Sequence, residues 1–506
     1  MSYRSKFYRS GLLLSATALA MRTVGMFFGA YVSHTVGAEG VGMYTMVMTV
    51  YSFAVTLATS GVSLTVTRLV ASAIGEGRRE DIMRILRGAM IYALVFGAAS
   101  SLLLFFGAPI IGGAILSDER TVGAMRALSF SLIPIAIGSV FSGYFVGVKR
   151  VGFNAAVSVF AQGVKIGVTV LLVSYALPYG MVAAVLALCI GITVTELLSF
   201  LLITGEFLYD KHKNVKKNSQ NKSGDIQSVA KMAIPLALSA YVRSIFLSVE
   251  HVLIPKRLRD RGESSSEAYS HYGALHGMAV PLILYPMTPL SSFSGLLVPE
   301  FAEDMSGGRE GRMSRIAGEA VNTTLTYSAL VAVLIYCFSG ELGYLVYDSF
   351  DAGSYIAILS PVIPIMYLDH VTDSILKGVG EQVYSMWVNV TDSVLSVILV
   401  WFLIPAMGIS GYAVVIMVME GYNFLLSFFR LRKRVSFALS PIKSLLVPAS
   451  LAAFAAYTSK KLFAFSGKDV SPFWLVMKIL FAVLVFVFLK SLLTFHNRRK
   501  TKLEEI

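Results

Sequence analysis

Charged side chains are scarce in this chain: Asp, Glu, Lys and Arg make up 14% of 506 residues, against 56% hydrophobic residues. So low a share excludes an ordinary soluble domain and points to a polytopic membrane protein. Cysteine is rarer still. Cys189 and Cys337 both fall inside apolar runs, which argues against a disulfide framework or a thiolate metal site and reads them as small core residues. Acidic residues number 30 against 43 basic ones. In a soluble protein that excess would suggest nucleic acid, but here Lys and Arg gather in short loops, where membrane orientation accounts for them, so no nucleic-acid partner is expected. No Gly-rich loop ends in Gly-Lys-Ser or Gly-Lys-Thr, so neither an ATP site nor any cofactor is read. The basic start, Met1 to Arg9, precedes a run too long for a signal-peptide core and is read as leading into a retained first helix.

What is abundant is membrane-length apolar sequence. Windows of about 19 residues predict fourteen spans. Six lie between 10 and 205, six between 229 and 430, and two near 441–459 and 472–493. With the amino terminus in the cytoplasm, most basic clusters fall inside, including Arg78/Arg79, Lys149/Arg150 and Arg430 to Arg434. The exceptions are Lys256 to Arg261 and Lys460/Lys461. The expectation is an all-α protein of the cell membrane with both termini cytoplasmic, acting as a monomer among membrane lipids. Residues 75–85 match 306–316 at Gly77/Gly308, Arg78/Arg309, Arg84/Arg315 and Ile85/Ile316, which indicates an internal repeat of six spans. An even number of spans per repeat makes the halves parallel. The predicted organisation is a six-helix lobe over 1–210, a cytoplasmic linker over 211–228, a second six-helix lobe over 229–435, and two further helices with a basic tail over 436–506.

Against this apolar background the intramembrane charges stand out. Arg22 sits near the middle of the 27-residue run Ser10 to Val36. A guanidinium there costs from ~2.5 to more than 10 kcal/mol unless it meets water or a partner. Arg243 is placed alike in Lys231 to Pro255, with Glu250 two helical turns further on. Arg22 is a forked donor able to hold a pair of phosphate oxygens, and no carboxylate shares its span. The competing reading is an arginine tied to a buried acid or to carbonyls elsewhere. Lys165 and Glu196 lie mid-span in adjacent helices, where substrate contact and a structural ion pair are both open. Asp369, His370, Asp373, Asp392 and Glu420 bring acid into the second half, where they could bind a coupling monovalent cation or balance nearby cations. Pro281, Pro286 and Pro289 remove backbone donors from the eighth span and should bend or break it, either as a hinge or as a static kink.

Several short segments resemble a known family: Arg22-Thr-Val-Gly25, Gly37-Ala-Glu-Gly40-Val-Gly42-Met-Tyr44, Thr67-Arg-Leu-Val-Ala71 and Ser142-Gly-Tyr-Phe-Val-Gly147. Their order and spacing are similar to the polysaccharide-biosynthesis, oligosaccharidyl-lipid flippase branch of the MOP superfamily of transporters. The resemblance implies MATE-like paired lobes with two extra helices. It also implies movement of a polyprenyl-pyrophosphate-linked saccharide, such as lipid II or a related wall or spore-cortex precursor, from the inner to the outer leaflet. Relatives that carry lipid II use a first-span arginine, which Arg22 matches; Val146 stands where the family motif leads one to expect Gln. Alternating access with Arg22 and Arg243 on the pyrophosphate then fits the energetics. Carrying two net negative charges out of a cell negative inside by ~100 mV is downhill by roughly 4–5 kcal/mol.

Two other classes compete. A multidrug/cation antiporter of the same superfamily would more naturally carry a first-span carboxylate, whereas Arg22 repels a cation. A membrane glycan polymerase or ligase needs positioned acids and bases in an accessible site, and the predicted outward loops are mostly short. The expectation is a transporter and not an enzyme.

Overall fold

A computed structural model describes residues 3–76, 79–148, 151–214, 226–463 and 471–504. Gly77 and Arg78 of the repeat, Lys149, Arg150 and linker residues 215–225 lie outside the described residues. Every described element is a helix. Among the described residues, ten helices are long and apolar enough to cross a membrane, or twelve when two bent pairs are counted as single spans. The protein is a multi-pass membrane protein.

The helices end where backbone chemistry demands, and several predicted spans turn out to be interrupted. The first helix runs Tyr3–Thr59 and takes in most of two predicted spans, broken only at Gly37, whose φ of 68° suits a residue without Cβ. The second predicted span is cut again at Gly61, φ 79°, before Val62–Gly75. The fourth divides into pieces bent by 41° between Ser129 and Leu132. The segment from Lys256 to His271 is largely helical, with Ile226–Asp260 reaching into it and Ser265–Tyr272 restarting after a short turn.

Packing divides the chain into two compact units, Glu39–Ser270 and Met1–Ala38 with His271–Ile506. This division by contact is not the division by repeat predicted at 1–210 and 229–435. The first helix up to Ala38 packs with the second half of the chain, and Ile226–Asp260 packs with the first half. Gly37 explains the former boundary, because its left-handed backbone ends one straight helical segment just where the unit changes.

In Glu39–Ser270, Val62, Val66 and Val70 recur every fourth residue and place one face of their helix against Leu86, Val140, Phe145, Phe207 and Val229. The family-like segments meet in this core. Thr67 donates its hydroxyl to the Gly143 carbonyl at 3.0 Å. A Cβ on Gly143 would lie 2.6 Å from the Ser63 carbonyl oxygen, so a glycine is what lets the two helices approach. Gly42 is tighter still, with room for a Cβ only 1.9 Å from the Tyr269 carbonyl oxygen. Beside it the Arg120 guanidinium forks onto Asp118 and reaches Glu39 at 2.8 Å.

In the other unit, Leu297, Phe301, Val321, Leu368, Val371 and Ile375 form one core, and Phe338, Ala452, Ala456, Ala482 and Phe486 form a second around the last two helices. Lys478 of Pro472–Glu504 pairs with Glu341 of Ser339–Tyr347 at 2.8 Å.

Candidate functional site

Arg22 lies on the first helix, in the unit that contains the second half of the chain, and is half-buried. It makes no ion pair or hydrogen bond among the described residues. Its charge is felt at Tyr367 and His370 of Ile363–Gly378. The neighbouring Thr23 hydroxyl meets the Tyr285 hydroxyl at 2.7 Å. The cation therefore shares its surroundings with Tyr367 and His370, and among the described residues no carboxylate pairs with it.

Tyr285 belongs to the proline-rich stretch, which breaks as its sequence requires. A π-helical run Gly273–Ala279 leads to Val280–Leu284, a 3-10 turn Tyr285–Met287, and Thr288–Ser306, with a 42° bend along the way. Pro281, Pro286 and Pro289 each fall in the first turn of a new piece, where an amide N–H would have no helical partner. The carbonyls left over are satisfied by side chains. Tyr367 donates to Ile283 O at 2.8 Å, Tyr327 to Pro286 O at 2.7 Å and Thr288 to Tyr285 O at 2.7 Å. The Tyr327 and Tyr367 rings stack at 6.3 Å. Irregular backbone at membrane depth survives only with such partners. Tyr285, Tyr327 and Tyr367 stand in no motif; a hydroxyl placed mid-span is the one signal of them in the sequence.

The acidic residues of this unit converge from three helices. Asp369 and Asp373 stand one turn apart on Ile363–Gly378, Asp392 on Gln382–Met407 and Glu420 on Ile409–Arg434. Asp369 lies in the field of Asp373 and Asp392, and Glu420 in the field of Asp369 and Asp392. Lys377 pairs with Asp373 at 2.6 Å, and Ser427 lies near Asp369. Asp369 Oδ1, Asp373 Oδ1 and Asn423 Oδ1 are buried without a hydrogen-bond partner among the described residues. Like charges gathered in a low dielectric require protons or a cation to balance them. Among the described residues no three His, Cys, Asp or Glu side chains form a group that could hold a metal ion.

The remaining predicted site residues belong to the Glu39–Ser270 unit. Arg243 is exposed on Ile226–Asp260 and has no ion pair among the described residues, while Glu250 on the same helix is buried. Lys165 and Glu196 feel each other's charge across adjacent helices, yet they form no contact within 4.0 Å among the described residues. The helix pair is thus electrostatically matched without a closed salt bridge.

Comparison with known proteins agrees with this architecture. The family described as polysaccharide biosynthesis protein matches residues 7–305, and the MatE family matches residues 299–402. Stage V sporulation protein B of Bacillus subtilis (strain 168) is 25% identical over 419 residues, covering 82% of this chain and 81% of that protein. Lipid II flippase MurJ of the same strain is 22% identical over 439 residues, covering 80% and 79%. A solved structure of lipid II flippase MurJ in an inward closed conformation superposes with a TM-score of 0.74 at 16% identity, covering 95% of this chain and 98% of that one. With more than half of its length matched, the chain belongs to the polysaccharide biosynthesis protein family.

Proposed function

We propose that the protein moves a polyprenyl-pyrophosphate-linked saccharide, lipid II or a related wall or spore-cortex precursor, from the inner to the outer leaflet by alternating access. The observation that carries this reading is Arg22: a half-buried guanidinium at membrane depth, flanked by hydroxyls and without a carboxylate among the described residues. An arginine so placed is matched to a diphosphate, which accepts bidentate hydrogen bonds and supplies the missing negative charge. The relatives named above, stage V sporulation protein B and lipid II flippase MurJ, support the same substrate class. Arg243 serves as a second phosphate contact, Lys165 and Glu250 contribute to the saccharide path, and the interrupted stretch of Pro281, Pro286 and Pro289, which runs up to the 42° bend between Ser291 and Phe293, is the hinge. Fourteen spans in two repeat-related lobes, with both termini cytoplasmic and the chain acting as a monomer, complete the proposal.

The carboxylates Asp369, Asp373, Asp392 and Glu420 take up protons or a monovalent cation as part of the cycle, and Asp369 Oδ1 and Asp373 Oδ1, buried without partners, support this role. The test is transport of fluorescent lipid II into the outer leaflet of vesicles that contain the purified protein. Arg22→Ala should abolish transport while the protein still inserts; unchanged transport by that variant would refute the role of Arg22. The match of residues 299–402 to the MatE family favours one other reading, a multidrug/cation antiporter. Ethidium efflux together with inactivity toward lipid-linked saccharides would select it.

A further inference from the structure

The internal repeat marked by Gly77/Gly308, Arg78/Arg309 and Arg84/Arg315 has no part in the transport proposal, yet its second copy carries chemistry of its own. There the chain turns from Thr288–Ser306 into Glu310–Cys337 through Gly307, Gly308 and Arg309. Gly308 supplies the left-handed backbone of the turn, φ 65°, and the Arg309 amide donates to the Asp304 carbonyl at 2.9 Å. Backbone bonds of this kind close many helix ends. What is added here is charge.

Two arginines from beyond the turn reach back over the end of Thr288–Ser306. Arg309 donates through Nη2 to Glu303 Oε1 at 2.7 Å, and its Nε stands 2.8 Å from Asp304 Oδ1. Arg312 donates to Asp304 Oδ1 at 3.0 Å and to Glu300 Oε1 at 2.6 Å. Glu300, Glu303 and Asp304 share one helix face by their spacing. Asp304 is the centre of the group, its side chain 1% exposed and held by both guanidinium groups, while Glu300 and Glu303 hold them from the rim.

The two copies of the repeat share an interruption but not this charge group. The offset that carries Gly77 onto Gly308 carries Gly61, where the first copy breaks, onto Ser292, where the 42° bend of the second copy lies. Val62–Gly75 is thus the counterpart of residues 293–306. At the same offset Glu300, Glu303 and Asp304 fall on Leu69, Ser72 and Ala73, and Arg312 falls on Asp81, which pairs instead with Arg84 at 3.6 Å. The first copy has no acids with which to build the group.

The pieces on either side of the bend are held by unlike forces. After it, Leu297 and Phe301 pack in one core with Val321, Val371 and Ile375, and Gly378 lets its helix close on Val298 and Phe301. The arginines add charge-assisted bonds, roughly twice as strong as neutral ones. Before it, Tyr367 and Tyr327 hold the Ile283 and Pro286 carbonyls by neutral hydrogen bonds. The firmer piece is the one that bears the carboxylates.

We infer that Asp304, with Glu300, Glu303, Arg309 and Arg312, is a clamp that keeps Phe293–Met305 and Glu310–Cys337 one rigid body. Bending between Ser291 and Phe293 then moves only the piece before it, the one that carries Tyr285. The use of the clamp rests on the alternating-access reading; the rigid elbow itself does not. None of its residues is assigned to the substrate.

The experiment uses the full chain with Cys189 and Cys337 replaced by alanine and spin labels on introduced cysteines. The pair Met305→Cys/Glu319→Cys spans the elbow at two exposed positions, and Leu284→Cys/Met305→Cys spans the bend. Distances between labels are recorded in vesicles with and without lipid II. The elbow pair should give one narrow distribution that lipid II leaves unchanged. Asp304→Asn keeps the shape of the side chain but removes the charge that both arginines share. It should broaden the elbow distribution and slow transport by about tenfold, as for loss of a charge-assisted contact, with lipid II binding unchanged. Glu300→Gln/Glu303→Gln should act in the same direction and less. A shift of the elbow pair on addition of lipid II would overturn the inference, and so would a narrow elbow with normal transport in Asp304→Asn. A narrow elbow that Asp304→Asn broadens, together with a Leu284 to Met305 distance that lipid II does not change, would support the clamp and refute the hinge instead.

Discussion

The hydroxyls of Thr23 and Tyr285 stand 2.7 Å apart although 262 residues separate them in the chain. They tie the first helix to the broken stretch of the eighth predicted span, next to the arginine that we assign to the substrate. A neutral hydrogen bond of this kind contributes about 0.5–1.5 kcal/mol. Thr23→Val and Tyr285→Phe should each lower stability by roughly that amount, and the double variant should cost less than the sum of the two. Chemical denaturation in detergent measures the cycle.

Arg22 leads to a sharper expectation. Arg22→Lys keeps the charge but loses the fork, so it should retain partial transport, whereas Arg22→Ala and Arg22→Gln should lose at least about tenfold, in line with the ~1.5–3 kcal/mol of a charged hydrogen bond. Arg243→Ala should likewise abolish complementation while the protein still inserts. Vesicle transport and complementation of a strain deficient in lipid II flipping provide the readouts.

For the acidic cluster the expected variants are Asp392→Asn and Glu420→Gln. Removing one carboxylate relieves the repulsion, so neither should destabilise the fold, but both should change the dependence of transport on external cation. Transport rates in sodium, potassium and choline buffers across pH 6–8 would decide the matter; identical profiles in wild type and variants would remove the coupling role.

Glu381 provides a pH test outside the spans. Hydrogen bonds from Arg430 and Arg434 hold its carboxyl below the usual glutamate range. A depressed folded value means that the carboxylate stabilises the fold above the ordinary pKa of 4.5, and that this contribution fades as pH falls through the lower folded value. Thermal midpoints of wild type and Glu381→Gln should therefore differ at neutral pH and converge in acid.

Gly42→Ala tests the packing of the other unit. Its new methyl would meet the Tyr269 backbone oxygen at 1.9 Å, and a backbone atom cannot swing aside. A loss of about 1–3 kcal/mol or more follows from overpacking, visible as a drop in monodisperse protein on size exclusion.

Much of this was legible in the sequence because the signals are local. Apolar run length marks the spans, proline positions mark where the eighth breaks, and the isolation of Arg22 in its run marks it as unusual. Gly37 and Gly42 were legible only as a resemblance; their reasons, a left-handed backbone and a 1.9 Å approach to Tyr269, are tertiary. Nothing in the spacing of Asp369, Asp392 and Glu420 announced that three helices would bring them into one another's field. The membership of the compact units was likewise hidden, since a helix of given hydropathy packs equally well by composition against either half.

The pairing of Lys478 with Glu341 bears on how dispensable the last two helices are. A chain cut short before residue 436 would deprive that glutamate of its lysine partner, and it would uncover Phe338 at the same time. The carboxy-terminal pair is therefore an integral buttress of the preceding bundle, and shortened versions made for biophysical work should retain it or replace Glu341 with glutamine.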